Sequence, residues 1–216
     1  MKRARDGESY RHPLFARCYT WLSEHSEGRV GEYRARLLSG LSGRVVEVGA
    51  GNGLNFAHYP PQVEHVLAVE PEPHLRGVAE RNARKAAAHI DVVHGLAEAL
   101  PADEQSCDAA VCSLVLCSVP DQAAALAEVR RVLRPGGQLR IFEHVRADTP
   151  GMARLQRLLD ATVWPTLAGG CHTARDTVTA VERAGLTFEH IEKFRLPESG
   201  ISSPVSSLVL GTARRR

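Results

Sequence analysis

Three glycines at alternate positions follow a short apolar segment of the chain. They are Gly49, Gly51 and Gly53, and a carboxylate, Glu47, stands two residues before the first of them. Glycine allows the main chain to turn sharply and to approach a ligand, because no Cβ intervenes, and the N–H groups that open a following helix can bind a polar ligand. The pattern therefore predicts a loop that holds a nucleotide-like cofactor.

The spacing of the glycines distinguishes two kinds of cofactor. A dinucleotide-binding loop reads G-x-G-x-x-G, whereas this chain reads G-x-G-x-G, with Asn52 between the last two glycines. The Glu47 carboxylate is unfavourable beside a pyrophosphate and tolerable beside a cationic sulfonium. Glu70 ends a second apolar segment, where an acidic side chain can accept hydrogen bonds from both ribose hydroxyls. Together these features favour S-adenosylmethionine.

The elements that position these residues alternate between strands and helices, which is typical of a parallel sheet covered on both faces. The predicted strands are residues 45–48, 66–69, 90–93, 109–113, 138–144, 188–195 and 206–212. The predicted helices are residues 74–87, 121–133, 155–163 and 173–184, with two amphipathic helices at 12–25 and 31–41 before the sheet. We therefore expect a doubly wound α/β fold.

Four motifs in this order resemble the class I, seven-strand methyltransferases over nearly the whole chain. They are residues 45–53, Glu70, 95–101 and 131–137. The resemblance implies an S-adenosylmethionine cofactor and a Rossmann-like sheet of order 3-2-1-4-5-7-6, with strand 7 antiparallel, in a three-layer α/β/α arrangement. It also implies one domain over residues 1–216, in which an N-terminal helical cap (1–41) precedes a core (42–216) that carries an insert at 150–175.

Shorter segments resemble a branch of this superfamily whose animal members methylate small alkyl thiols. These segments are residues 53–56, 59–61, 115–119, 142–145 and 170–171. The resemblance implies a small-molecule methyl acceptor, with a thiol as the candidate.

Cofactor contacts are expected beyond the carboxyl ends of the strands, where ligands bind in open α/β sheets. We predict Glu70 at the ribose, Ala97 and Glu98 at the adenine, and Ser113 and Leu114 beneath the methionine portion. The full predicted set is Glu47, Gly49, Ala50, Gly51, Gly53, Asn55, Glu70, Pro71, Ala97, Glu98, Ser113 and Leu114.

Methyl transfer from a sulfonium is an in-line displacement, so alignment of the acceptor supplies most of what the enzyme adds. A thiol reacts as its thiolate and needs little basic help, whereas an alcohol or a carbon acid requires a general base. His144, at the end of the fifth strand, is the predicted base. Tyr19, Trp164 and His172 are predicted to face the acceptor.

Composition excludes several other classes of protein. The chain has 216 residues, 44% of them hydrophobic and 24% charged, which suits one globular enzyme domain. A net charge of +2 is too small to imply nucleic-acid binding. The five cysteines form no C-x-x-C pair, and no apolar run is long enough to span a bilayer. We therefore expect a cytoplasmic protein without a metal site or a transmembrane segment.

The leading hypothesis is an S-adenosylmethionine-dependent methyltransferase that acts on a small molecule. One alternative is a C- or O-methyltransferase of a quinone, a polyketide or another secondary-metabolite precursor. A noncatalytic protein that binds the same cofactor is a more distant alternative, because the glycine loop and Glu70 are both intact.

Overall fold

A seven-stranded sheet forms the centre of the protein in a computed structural model that describes residues 13–162, 164–197 and 202–216. The strands are β1 Gly43–Val48, β2 Val63–Val69, β3 Ile90–Val93, β4 Cys107–Ser113, β5 Leu133–His144, β6 Leu186–Arg195 and β7 Ser207–Arg215. Their order is β3-β2-β1-β4-β5-β7-β6. β7 runs antiparallel to both β5 and β6, and the other neighbouring pairs are parallel. The predicted strand order and the antiparallel last strand are confirmed.

Helices cover both faces of this sheet. They are α1 Pro13–Leu38, α2 Pro73–Ala83, α3 Gln122–Val132, α4 Pro150–Asp160, α5 Trp164–Leu167 and α6 Thr177–Arg183, with a 3-10 turn at Leu54–His58. Leu37 of α1 and Ala79 of α2 pack on one face, and Leu126 of α3 and Val181 of α6 pack on the other. Each fully buried large apolar side chain contributes about 1.5–3 kcal/mol, which holds the three layers together.

The two helices predicted at residues 12–25 and 31–41 are wrong, because α1 is one continuous helix from Pro13 to Leu38. Residue 12 lies outside the described residues. Glycine in a helix interior costs about 1 kcal/mol, and α1 contains both Gly28 and Gly31. Contacts within α1 support the helix at these glycines, since Glu27 lies against Gly31 and forms an ion pair with Arg34. The sequence alone does not reveal these contacts. The cap is therefore a single long helix.

The helix predicted at residues 155–163 begins earlier, at Pro150, and ends at Asp160, while residue 163 lies outside the described residues. Proline suits the first turn of a helix because that position needs no N–H donor. The helix predicted at residues 74–87 runs from Pro73 to Ala83 and so ends four residues earlier than predicted. None of the helices in the described ranges combines the length and the apolar character that crossing a bilayer requires.

Candidate functional site

A cavity of about 410 Å³ opens beyond the carboxyl ends of β1, β2 and β4. β1 lies between β2 and β4, so the chain winds away from β1 in both directions and leaves a crevice at this edge. The glycine loop after β1, the end of β2, residues 95–98 and the turn after β4 line the cavity. Tyr19 of α1 and the segment around Gly170 and His172 complete it.

The three glycines of the loop have different roles, although all have positive φ angles, of 64°, 58° and 78° for Gly49, Gly51 and Gly53. A Cβ on Gly49 would collide with Val115, and one on Gly53 would collide with Phe56. A Cβ on Gly51 would instead point toward Tyr19, 3.6 Å from its Cε1 atom. Gly49 and Gly53 are therefore required for packing, whereas Gly51 leaves the space beside the loop open to a ligand.

Glu70 lines the cavity at the end of β2 and is only 5% exposed. Its Oε2 atom accepts the Gly51 N–H at 2.8 Å, and its Oε1 atom accepts the Glu72 N–H at 2.9 Å. Each carboxylate oxygen has a second lone pair, so both can accept one more hydrogen bond. Burial raises the pKa of this carboxyl to about 6. The residue is thus held in place with two acceptors available for a ligand with paired hydroxyls.

The far side of the cavity combines apolar and acidic groups. Pro71, Leu75 and Ala97 supply apolar surface. The Glu98 carboxylate also lines this part and accepts the Asp121 N–H at 3.2 Å. A flat heterocycle with an exocyclic amine fits this combination, because its faces need apolar contacts and its edge needs acceptors.

The turn after β4 is strained and is held by a buried carboxylate. Leu114, which lines the cavity, has a φ of 57°, a conformation that costs a residue other than glycine about 1–3 kcal/mol. Glu143 Oε1 accepts the N–H groups of Val115 and Leu116 at 2.9 Å each, and Oε2 accepts that of Cys117 at 3.3 Å. Burial raises the pKa of Glu143 to about 7. Glu143 therefore fixes the turn without lining the cavity.

A buried polar network lies beneath the glycine loop. Glu47 Oε1 accepts the Asn55 amide at 2.8 Å, and Oε2 accepts the Tyr59 hydroxyl at 2.6 Å. Asn55 Oδ1 in turn accepts Arg34 Nη1 at 2.8 Å, and Arg34 Nε bonds to Glu27 at 3.2 Å. Burial raises the pKa of Glu47 to about 7, against the opposing effects of its hydrogen bonds and Arg34. The network ties the cap helix to the loop.

We expect Arg34→Met to lower the free energy of unfolding by about 2–3 kcal/mol, because Asn55 would lose its buried donor and Glu47 its nearby cation. Urea unfolding followed by circular dichroism measures this change. Arg36→Met is the matched control, since Arg36 is 41% exposed and its ion pair with Glu192 is worth about 0–1 kcal/mol. Equal losses in the two variants would show that the network does not stabilise the fold.

The structure separates the predicted site residues into two groups. Those that line the cavity are Tyr19, Gly49, Gly51, Glu70, Pro71, Ala97, Glu98, Ser113, Leu114 and His172. Those outside its lining are Glu47, Ala50, Gly53, Asn55, His144 and Trp164. Of the second group, Glu47 and Asn55 belong to the network beneath the loop, and Ala50 donates its N–H to Val69.

His144 does not reach the cavity, and we assign it no part in the reaction. It pairs with Leu208 of β7, and its ring bonds to the Val205 backbone. Its Nδ1 atom is buried and has no partner among the described residues. Burial lowers its pKa to about 4. Alternation along β5 places His144 on the same face as Phe142, which packs in the cluster beneath α1.

Trp164 opens the short helix α5, and its buried indole N–H faces the Cys171 thiol. The sequence analysis also missed lining residues near this segment: Val115, Ser118, Val119, Pro120, Gly169 and Gly170. The first four follow directly after β4, so their position at a strand end was the available signal. The two glycines belong to the insert, which docks through long-range contacts. Residues 170–171 were matched only as a segment of the family resemblance, without a role in the site.

Comparisons with known proteins agree with this geometry. A family model described as a methyltransferase domain matches residues 46–141. Thiol S-methyltransferase TMT1B of Homo sapiens is 36% identical over 187 residues, which cover 82% of this chain and 73% of that protein. A ubiquinone/menaquinone biosynthesis C-methyltransferase of Syntrophotalea carbinolica is 30% identical over 65% of this chain and 60% of its own length. A geranyl diphosphate methyltransferase solved with S-adenosylmethionine has a TM-score of 0.68 at 17% identity, over 98% of this chain and 95% of that one.

The fold and the glycine loop with Glu70 at the switch point define the class, which is that of the S-adenosylmethionine-dependent methyltransferases. Within that class, the chain belongs to the family that contains the thiol S-methyltransferases, as the 36% identity over 82% of its length shows.

Proposed function

We propose that this protein transfers the methyl group of S-adenosylmethionine to a small, lipophilic thiol. The proposal rests on the apolar part of the cavity lined by Val115, Val119 and Pro120, which we call the acceptor end. It is supported by the similarity of the chain to thiol S-methyltransferases. A thiol is the least strongly hydrated of the common nucleophiles and tolerates such surroundings. It also needs less basic assistance than a hydroxyl or a carbon acid.

The cofactor residues carry specific roles in this proposal. Glu70 accepts hydrogen bonds from the ribose hydroxyls through the free lone pairs of its two oxygens. Ala97 and Glu98 bind the adenine, and Ser113 and Leu114 lie beneath the methionine portion. Glu47, Gly53 and Asn55 support the loop from behind, because their contacts are with the protein itself.

The cofactor supplies an already activated methyl group when bound, so the chain's own contribution is to orient the acceptor and to exclude water. Tyr19 lies beside Gly51 of the glycine loop, and Gly169, Gly170 and His172 also line the cavity. Gly170 is required in that closure, because a Cβ there would stand 2.8 Å from the Ser118 carbonyl oxygen, and its φ is 88°. Close packing of this segment keeps the acceptor end narrow.

We expect purified protein to methylate small alkyl and aryl thiols faster than phenols or quinol precursors of similar size. Labelled S-adenosylmethionine and a panel matched in size and apolar surface measure this preference. Denatured protein and the Gly51→Val variant are the controls for nonenzymatic transfer, because free thiols react slowly with the donor. Faster methylation of a quinol or phenol would contradict the thiol assignment.

A second candidate is C- or O-methylation of a quinone precursor, favoured by the 30% identity to the C-methyltransferase of Syntrophotalea carbinolica. Methylation of carbon or oxygen needs a general base at the acceptor. The panel of thiols, phenols and quinol precursors described above also tests this second candidate, because it contains both kinds of acceptor.

We also propose that the protein acts in a reducing compartment such as the cytosol. All five cysteines are free thiols, and four of them are buried. Disulfide-bonded proteins are typical of oxidising compartments.

A further inference from the structure

His172 lines the same cavity as Val115, Val119 and Pro120, and hydrogen bonds hold both its backbone and its ring. It follows a turn in which Gly169 and Gly170 have φ angles of 60° and 88°. Its backbone N–H donates to the Cys117 carbonyl at 2.8 Å, which fastens the insert to the turn after β4. Arg175 strengthens the same attachment through the carbonyls of Leu116 and Val119, at 2.6 and 2.7 Å. The imidazole is therefore presented to the cavity from a fixed backbone.

The hydrogen bond of the ring determines where its proton sits. His172 Nδ1 lies 2.8 Å from the Gly170 carbonyl oxygen, which can only accept, so Nδ1 carries the hydrogen. Arg175 Nη2 lies farther from the same nitrogen, at 3.5 Å, and already donates to Val119. A neutral imidazole with a protonated Nδ1 has an unprotonated Nε2. No described residue bonds to that Nε2, so its lone pair is available.

The other titratable side chains that line the cavity lie elsewhere or ionise only at high pH. Glu70 and Glu72 follow β2, and both accept hydrogen bonds from backbone N–H groups. Glu98 follows the lining residues 95–97 and accepts the Asp121 N–H. Burial raises the pKa of Tyr19 above its already high ordinary value. Among the described side chains that line this part of the cavity, His172 is thus the one with an imidazole nitrogen free to accept a proton from the acceptor.

We propose that His172 Nε2 is the general base that removes the proton of the acceptor, an assignment that rests on the proposed function. The S–H bond of the thiol breaks and its proton passes to Nε2. The thiol sulfur forms its bond to the methyl carbon as the sulfonium–methyl bond breaks, and that electron pair remains on the departing sulfur. The resulting imidazolium, stabilised by its Nδ1–H bond to Gly170, then returns the proton to water.

The magnitude of the effect follows from thiol ionisation. A thiol with a pKa of about 8.5 is roughly 3% thiolate at pH 7, so an enzyme without a base loses up to about 30-fold with such an acceptor. We expect His172→Gln to lower kcat/KM for an alkyl thiol by about 10- to 30-fold at pH 7. The loss should shrink as the pH rises past 8.5. With an acidic aryl thiol, already ionised at pH 7, the same variant should keep nearly full activity.

His74→Gln serves as the matched control, because His74 is exposed on α2 and lies outside the cavity lining. Calorimetry with S-adenosylhomocysteine should give the same affinity for both variants and for the unaltered protein, which shows that the fold and the cofactor site persist. Equal losses with the alkyl and aryl thiols would overturn the assignment in favour of a purely structural role. Failure of the unaltered protein to methylate either thiol would overturn the proposed function itself.

The tautomer can be tested without turnover. Protein labelled with ¹⁵N-histidine should show, by NMR, a His172 ring protonated at Nδ1 and bare at Nε2, with the signal assigned by its absence from His172→Gln. His74→Gln should leave that signal unchanged. A His172 ring protonated at Nε2 in the neutral protein would overturn the proposal, because no lone pair would face the acceptor.

Discussion

Gly51→Val is expected to abolish binding of S-adenosylmethionine and S-adenosylhomocysteine while the protein remains folded. A side chain at this position would extend from the loop toward Tyr19, into the space that we assign to the cofactor. The φ of 58° at Gly51 adds strain of about 1–3 kcal/mol for any residue with a Cβ. Isothermal titration calorimetry with S-adenosylhomocysteine measures the loss, and urea unfolding measures the remaining stability.

Gly136→Val separates strain from occlusion in this experiment. Gly136 has a φ of 79°, and a Cβ there would meet nothing within 4 Å. It lies in β5 and outside the cavity lining. This control should be destabilised to a similar extent and should bind the cofactor normally. Normal binding by Gly51→Val would show that the cofactor does not lie against the glycine loop.

Glu70→Ala is expected to weaken cofactor binding by about 10²- to 10⁴-fold, because it deletes two charge-assisted hydrogen bonds to the ribose worth about 1.5–3 kcal/mol each. The substitution also removes the acceptor of two hydrogen bonds, which the N–H groups of Gly51 and Glu72 donate to Glu70. Glu70→Gln keeps one acceptor oxygen and should give an intermediate loss. Asp91→Asn, an exposed carboxylate on β3, should leave the affinity unchanged. Unaltered affinity in Glu70→Ala would remove Glu70 from the site.

The pH dependence of cofactor binding tests the same residue. Burial raises the pKa of Glu70 to about 6, and only its ionised form accepts hydrogen bonds at both oxygens. Affinity should therefore rise between about pH 5 and pH 7, as Glu70 loses its proton. Glu47 and Glu143, with pKa values of about 7, titrate nearby but lie outside the cavity lining. The difference between the unaltered protein and Glu70→Gln isolates Glu70, and equal slopes would contradict its role.

The sequence was sufficient to predict the cofactor loop and the sheet. β1 and its three glycines are contiguous in the sequence, and Glu70 directly follows the next strand, β2. Such signals can be recognised because strand propensity and positive φ are local properties of the backbone. The strand order followed from four ordered motifs and a known topology, and the structure confirms it. Boundaries were less accurate where tertiary contacts outweigh propensity, as in the continuous helix α1, which contains Gly28 and Gly31.

Only the tertiary structure decided which polar residues face the cavity. The sequence placed Glu47 near the cofactor, yet its oxygens bond to Asn55 and Tyr59 beneath the loop. Arg34 joins that network from α1, 21 residues before Asn55 in the chain, and no local pattern indicates the pairing.

The two histidines show the same division. The sequence predicted His144 as the base because it ends a strand, and His172 as an acceptor-facing residue because it follows a glycine turn. Pairing of β5 with β7 and the alternation of side chains along β5 direct His144 away from the cavity. The bond from the His172 backbone to Cys117 brings the insert, 55 residues farther along the chain, onto the turn after β4. Side-chain direction and docking of distant segments depend on long-range packing, which a local sequence pattern does not encode.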